Sequence, residues 1–131
     1  MTSLSAYTKV NVQTASAGQI MVTLLQGALR NMRASSSAFD HGDYKSGSVL
    51  AEKAAAIVLA LQGTLKAEVA PDLCARLSDL YVFVACRLGM AGTKLSAEHV
   101  REAERVFTPI AEAFVQAVAE CGAEAKVASA G

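Results

Sequence analysis

The chain has 131 residues, of which 53% are hydrophobic and 18% charged, with Lys plus Arg and Asp plus Glu balanced at 12 each. That length suits one domain with one core, and the composition excludes a disordered chain. No stretch concentrates positive charge, which excludes nucleic acid as a partner, while fewer charges than the usual quarter imply that some apolar residues face another protein.

The N-terminal stretch from Met1 to Val12 has neither a basic start nor an apolar core, so nothing in it directs export. The longest strongly apolar run, Leu80 to Cys86, falls far short of the roughly 20 residues that span a bilayer. A cytoplasmic protein without membrane insertion is expected. Residues 1–15 are read as an N-terminal segment or lid, too short to add a full helix to a bundle. Within it Tyr7, Val10 and Val12 are placed to dock on an apolar groove, and the segment either stays there or leaves when a partner arrives.

Four helical segments follow, spanning residues 16–121. The first is predicted to start at Ser16, with Gln19 completing an S-x-x-Q capping box. Its apolar stripe of Ile20, Met21, Leu24, Leu25, Ala28, Leu29 and Met32 carries the helix to about Phe39. Gly42 ends it in a tight turn. The second helix is predicted from Tyr44 to about Lys66, with Leu50, Ala54, Ile57, Leu61 and Leu65 facing inward and Gly47 and Gly63 weakening its ends. Pro71 and Asp72 suit the start of a third helix, whose stripe is Leu73, Leu77, Leu80, Val84 and Leu88 and which stops near Gly92. Ser96 caps the fourth helix, where Val100, Ala103, Phe107, Ile110, Phe114, Ala117 and Cys121 keep a heptad. Pro109 interrupts that heptad without shifting its phase, so a kink is expected and not a break. Residues 122–131 are read as a frayed tail. The fold class is therefore all-α, an antiparallel up-down four-helix bundle with a short N-terminal segment packed on it.

No constellation for catalysis or metal binding stands out. The residues three before His41 and His99 are Ala38 and Ser96, so the Glu-x-x-His pairs of dimetal bundles are missing. Both histidines are read as solvated. Cys74, Cys86 and Cys121 lack zinc-ligand spacing and are read as reduced thiols. The glycines are scattered and build no phosphate loop. Neither a cofactor nor an enzymatic activity is expected.

The third helix carries a second apolar stripe, Val82, Phe83, Cys86 and Met90, beside its core stripe. One use is a groove for an amphipathic partner helix. The alternatives are that the helix is simply a central one, apolar because it is buried all round, or that a purely structural bundle self-associates weakly through this stripe.

At these residues the sequence resembles the FliS family of flagellin export chaperones. The likeness spans about Ala6 to Glu120. It rests on Ala6-Tyr7, on Thr14-Ala15-Ser16 leading to Leu24, Gly27, Ala28 and Leu29, on Asp43-Tyr44, and on Leu80-Tyr81 with Arg87-Leu88 and Ala91. The resemblance implies a chaperone that binds the C-terminal region of flagellin and prevents its polymerisation before export, with docking at the flagellar export gate as a further implication. Its partner-binding residues are expected to be Tyr7, Val10, Leu25, Leu29, Tyr81, Phe83, Val84, Arg87 and Leu88. Several positions depart from the family pattern: Gln26 and Val82 replace acids, and Cys86 stands where an arginine is common.

Overall fold

A computed structural model describes residues 4–12 and 14–130, with the side chains of residues 15 and 124–130 excepted. Five helices and no strand occur among them: α1 (Leu4–Asn11), α2 (Ala15–Asp40), α3 (Tyr44–Gly63), α4 (Pro71–Lys94) and α5 (Ala97–Ala130). Helix α2 packs against α3 and α5, and α4 packs against the same two, so the long helices follow one another in cyclic order. The short α1 lies against α5.

The helix ends follow local chemistry and in places move away from the sequence expectation. Thr14, not Ser16, caps α2. Its extended backbone lets the hydroxyl accept from the Ala17 amide at 3.0 Å, while the Gln19 side chain points down the helix to Thr23. Gly42 does take a left-handed turn, at φ 79°, and Asp43 then caps α3 by accepting from the Ser46 amide. Helix α3 stops at Gly63 rather than Lys66 because the Thr64 hydroxyl donates to the Leu61 carbonyl at 2.7 Å. Gly92 does not stop α4. The helix runs to Lys94, and Leu95 adopts the left-handed cap at φ 52°, which costs a non-glycine residue roughly 1 kcal/mol.

Helix α5 is continuous through Pro109. Pro109 and Arg105 are both exposed, so the carbonyl that the proline deprives of a donor faces water, and the break that a buried proline would cause is avoided. The helix continues past Cys121 to Ala130.

The core is built on small residues at the closest contacts. In α3 the buried positions are Gly47, Ala51, Ala54, Val58 and Leu61; the predicted Ala54 and Leu61 are among them, while Ala51 and Val58 take the inward places expected of Leu50 and Ile57, which are half-buried beside them. Ala28, Ala91 and Ala103 are likewise fully buried, which lets neighbouring helices approach closely. At Gly47 there is no room for a side chain. A Cβ there would lie 2.8 Å from the Phe39 ring, and the buried Ser35 hydroxyl donates to the Gly47 carbonyl at 2.6 Å. In α4 the inward residues are Cys74, Leu77, Tyr81, Val84, Leu88 and Ala91. Leu80, expected in that stripe, is 40% exposed. In α5 the predicted heptad holds, with Ala111 taking the buried position beside a half-buried Ile110.

Candidate partner-binding site

Helix α1 covers one end of the core. Tyr7 is 1% exposed and Thr8 fully buried, so this short helix presents one inward edge. Tyr7 reaches a slot with Leu25, Leu61, Tyr81 and Phe114 around it. At the far end its hydroxyl oxygen accepts the Lys66 backbone N–H at 2.9 Å and meets the buried Cys74 thiol. Burial, the largest influence, raises the pKa of Tyr7 above the ordinary phenol value, and burial does the same for Tyr81. Both rings are therefore neutral at physiological pH and act as apolar wedges with a polar tip. Among the described residues the Thr8 hydroxyl has no hydrogen-bond partner, although it is sealed from solvent. An unmet buried hydroxyl costs about 1–3 kcal/mol, which lowers the stability of the docked α1.

Beside the covered slot lies an open groove of about 480 Å³ between the start of α2, the end of α3 and the end of α1. Ile20, Met21, Leu24, Leu61 and Leu65 form its apolar floor, with Lys66 at its edge. Ile20 is 61% exposed, the most exposed of the large apolar residues. Leu24 and Ile20 also border a shallower depression on the outer side of α2. The groove therefore wraps around the first turns of that helix.

The nine residues expected to touch a partner do not converge on one surface. Tyr7, Leu25, Leu29, Tyr81, Val84 and Leu88 are buried, while Val10 and Phe83 are exposed and Arg87 is partly exposed. Tyr7, Leu25 and Tyr81 do meet, under α1. Phe83 leaves α4 about 200° of helical turn away from Tyr81, on the outer face. Arg87 stands over the Phe83 ring at 5.1 Å and pairs with Glu102 of α5 at 3.3 Å, so its charge is engaged within the chain. The groove residues Ile20, Leu24, Leu61 and Leu65 were assigned to core stripes. Their signal was the width of the α2 pattern: Leu25, Ala28 and Met32 suffice for a core face, which leaves Ile20 and Leu24 on a second one.

Among the described residues no group of His, Cys, Asp and Glu is placed to hold a metal ion. The ring of His41 contacts the Ser37 carbonyl at 2.7 Å on the surface. His99, read as solvated, is instead partly buried, and its Nδ1 has no hydrogen-bond partner among the described residues. No helix among the described residues is long and apolar enough to cross a membrane.

The open apolar groove thus lies directly beside the short N-terminal helix α1. The family model for the flagellar protein FliS matches residues 1–121. The chain belongs to the FliS family. The match takes in α1, the groove and the whole of the described core. Membership of FliS carries a chaperone role in flagellar assembly, and flagellin is the client that the family implies. No curated protein matches the chain.

Proposed function

We propose that this chain is an antiparallel up-down four-helix bundle with α1 packed on it, acting in the cytoplasm to hold the C-terminal amphipathic region of flagellin until export. The observation that carries this reading is the open apolar groove floored by Ile20, Leu24, Leu61 and Leu65 next to α1. A flagellin segment that forms filament contacts through an apolar helix face exposes that face while monomeric. Covering it in the groove removes apolar area from water, at about 25 cal/mol per Å², and blocks premature polymerisation.

Helix α1 is the lid in this account. A helix of 8 residues has little stability of its own, and the unmet Thr8 hydroxyl weakens its docking further. When α1 leaves, Leu25 and Tyr81 become accessible, Tyr7 and Val10 are released to meet either the client or the export gate, and the groove extends into the slot. Leu29, Val84 and Leu88, buried in the bundle, support the site from behind.

The test is titration of the full chain with the C-terminal segment of the cognate flagellin, with a flagellin truncated of that segment as control. Saturable binding to the first alone supports the reading. Absence of binding to either removes it.

A further inference from the structure

The groove beside α1 has an apolar floor, and apolar contact alone sets neither the direction nor the register of a helix lying on it. Among the described residues that line the groove, Lys66 alone carries a charge. We propose that Lys66 selects the client segment: its ammonium pairs with an acidic side chain at the rim of the client's apolar face, which fixes the register of the bound segment. This rests on the flagellin reading and adds to it the chemistry that the groove requires of its occupant.

Lys66 is free to make that contact. Its side chain is exposed and forms no ion pair among the described residues, so no partner within the chain has to be given up. Its backbone is held on both sides, the N–H by the Tyr7 hydroxyl at 2.9 Å and the carbonyl by the Val69 N–H at 3.0 Å. The second of these bonds lies within the α3–α4 loop and stays when α1 leaves. The root of the side chain is therefore fixed before a client arrives, and less freedom is lost on pairing.

The surroundings favour an anion over a cation. The first turn of α2, where Ala17 borders the groove, carries no acid, so no side-chain carboxylate offsets the positive end of that helix. At the end of α3 the Leu61 carbonyl accepts from the Thr64 hydroxyl at 2.7 Å and the Gln62 carbonyl from the Leu65 N–H at 3.2 Å. Those bonds reduce the negative charge that a bare helix end would present. Glu68, two residues along the loop, is exposed and lines no part of the groove. A basic residue at the same place on a client would face Lys66 and be rejected.

Titration of the full chain into a labelled synthetic C-terminal segment of the cognate flagellin, read by fluorescence anisotropy, tests the proposal. Lys66→Met, which keeps an aliphatic stem, should bind about threefold more weakly than the parent, and Lys66→Glu about tenfold. Raising salt from about 50 to about 500 mM should weaken the parent and leave Lys66→Met nearly unchanged. Lys94→Glu, the same change at an exposed position of α4 away from the groove, should stay within about twofold. Among segments in which each Asp or Glu in turn is changed to Lys, one should bind Lys66→Glu about tenfold better than the unaltered segment does. Lys66 is at the surface, so circular dichroism should show an unchanged helical fold. Equal affinity of Lys66→Glu and the parent would overturn the proposal, as would an equal loss in Lys94→Glu or the lack of any compensating segment. A segment amidated at its C-terminus that loses as much as Lys66→Glu would also overturn it, since the paired carboxylate would then be the chain end. No binding to the parent removes the flagellin reading and this proposal together. Binding that falls in Ile20→Asp but not in Lys66→Glu removes this proposal alone.

Discussion

The Tyr7 hydroxyl accepts the Lys66 backbone N–H at 2.9 Å, tying α1 to the α3–α4 loop 59 residues further along the chain. Among the described residues this bond holds α1 to that loop, and its loss leaves the Lys66 donor without that acceptor. Tyr7→Phe should weaken α1 docking by about 1 kcal/mol, or roughly fivefold in the open population. Hydrogen exchange of the α1 amides should speed up by about that factor while α4 and α5 keep their protection. Uniformly faster exchange would mean that Tyr7 supports the whole core.

Thr8 supplies the opposite lever. Its hydroxyl is buried and unpartnered, so Thr8→Val, which keeps the shape and removes the orphan group, should stabilise docked α1 by about 1 kcal/mol. If α1 competes with the client, flagellin binding should fall about fivefold in Thr8→Val and rise in Tyr7→Phe. Calorimetric titration of the two variants side by side checks the sign. Changes in the same direction for both would separate α1 from the client site.

Gly47 lies against the Phe39 ring where α2 and α3 pack. A methyl group at 2.8 Å from the ring must displace it, so Gly47→Ala should lower stability by about 1–3 kcal/mol despite the better helix propensity of alanine. Combining it with Phe39→Leu should recover part of that loss, giving a favourable coupling in a double-mutant cycle read by urea unfolding. Additive losses would show that the two residues do not press on each other.

That contact also explains what the sequence disclosed and what it hid. The helices were legible because large apolar residues recur at helical spacing and Pro71, Gly42 and Asp43 punctuate them. The inward face of α3 was legible only in part. Ala54 and Leu61 were expected there and are buried, but Gly47 and Ala51 are small residues that a search for large side chains passes over, while Leu59 stands 48% exposed on the other side. The same confusion hid the groove. Ile20 and Leu24 look like core residues in the sequence, and their place at an open groove follows from where α3 ends and α1 lies. Tyr7 was legible as a docking residue, but its partner Lys66 is a backbone group, which no side-chain pattern reveals.

Asp43 gives a prediction in pH. Accepting from the Ser46 hydroxyl and backbone amide holds its carboxyl below the ordinary range. Its stabilising effect is therefore fully present above the unfolded-state pKa of about 3.9 and is lost as pH falls through the lower folded value. Asp43→Asn keeps a capping acceptor but does not titrate. The difference in Tm between parent and variant should be constant from about pH 7 to about 5 and shrink on further acidification. A constant difference throughout would remove Asp43 from the acid response.

The central claim is that the groove beside α1 holds the C-terminal region of flagellin. Ile20 tests it most directly because it is 61% exposed and can change without disturbing the core. A labelled C-terminal flagellin segment should be titrated by fluorescence anisotropy into the parent chain and into Ile20→Asp, with circular dichroism showing equal folding. Saturable binding to the parent is expected, with at least about a tenfold loss in the variant, as for a charge set into an apolar contact. Equal affinity for both chains, or no binding to the parent, would contradict it.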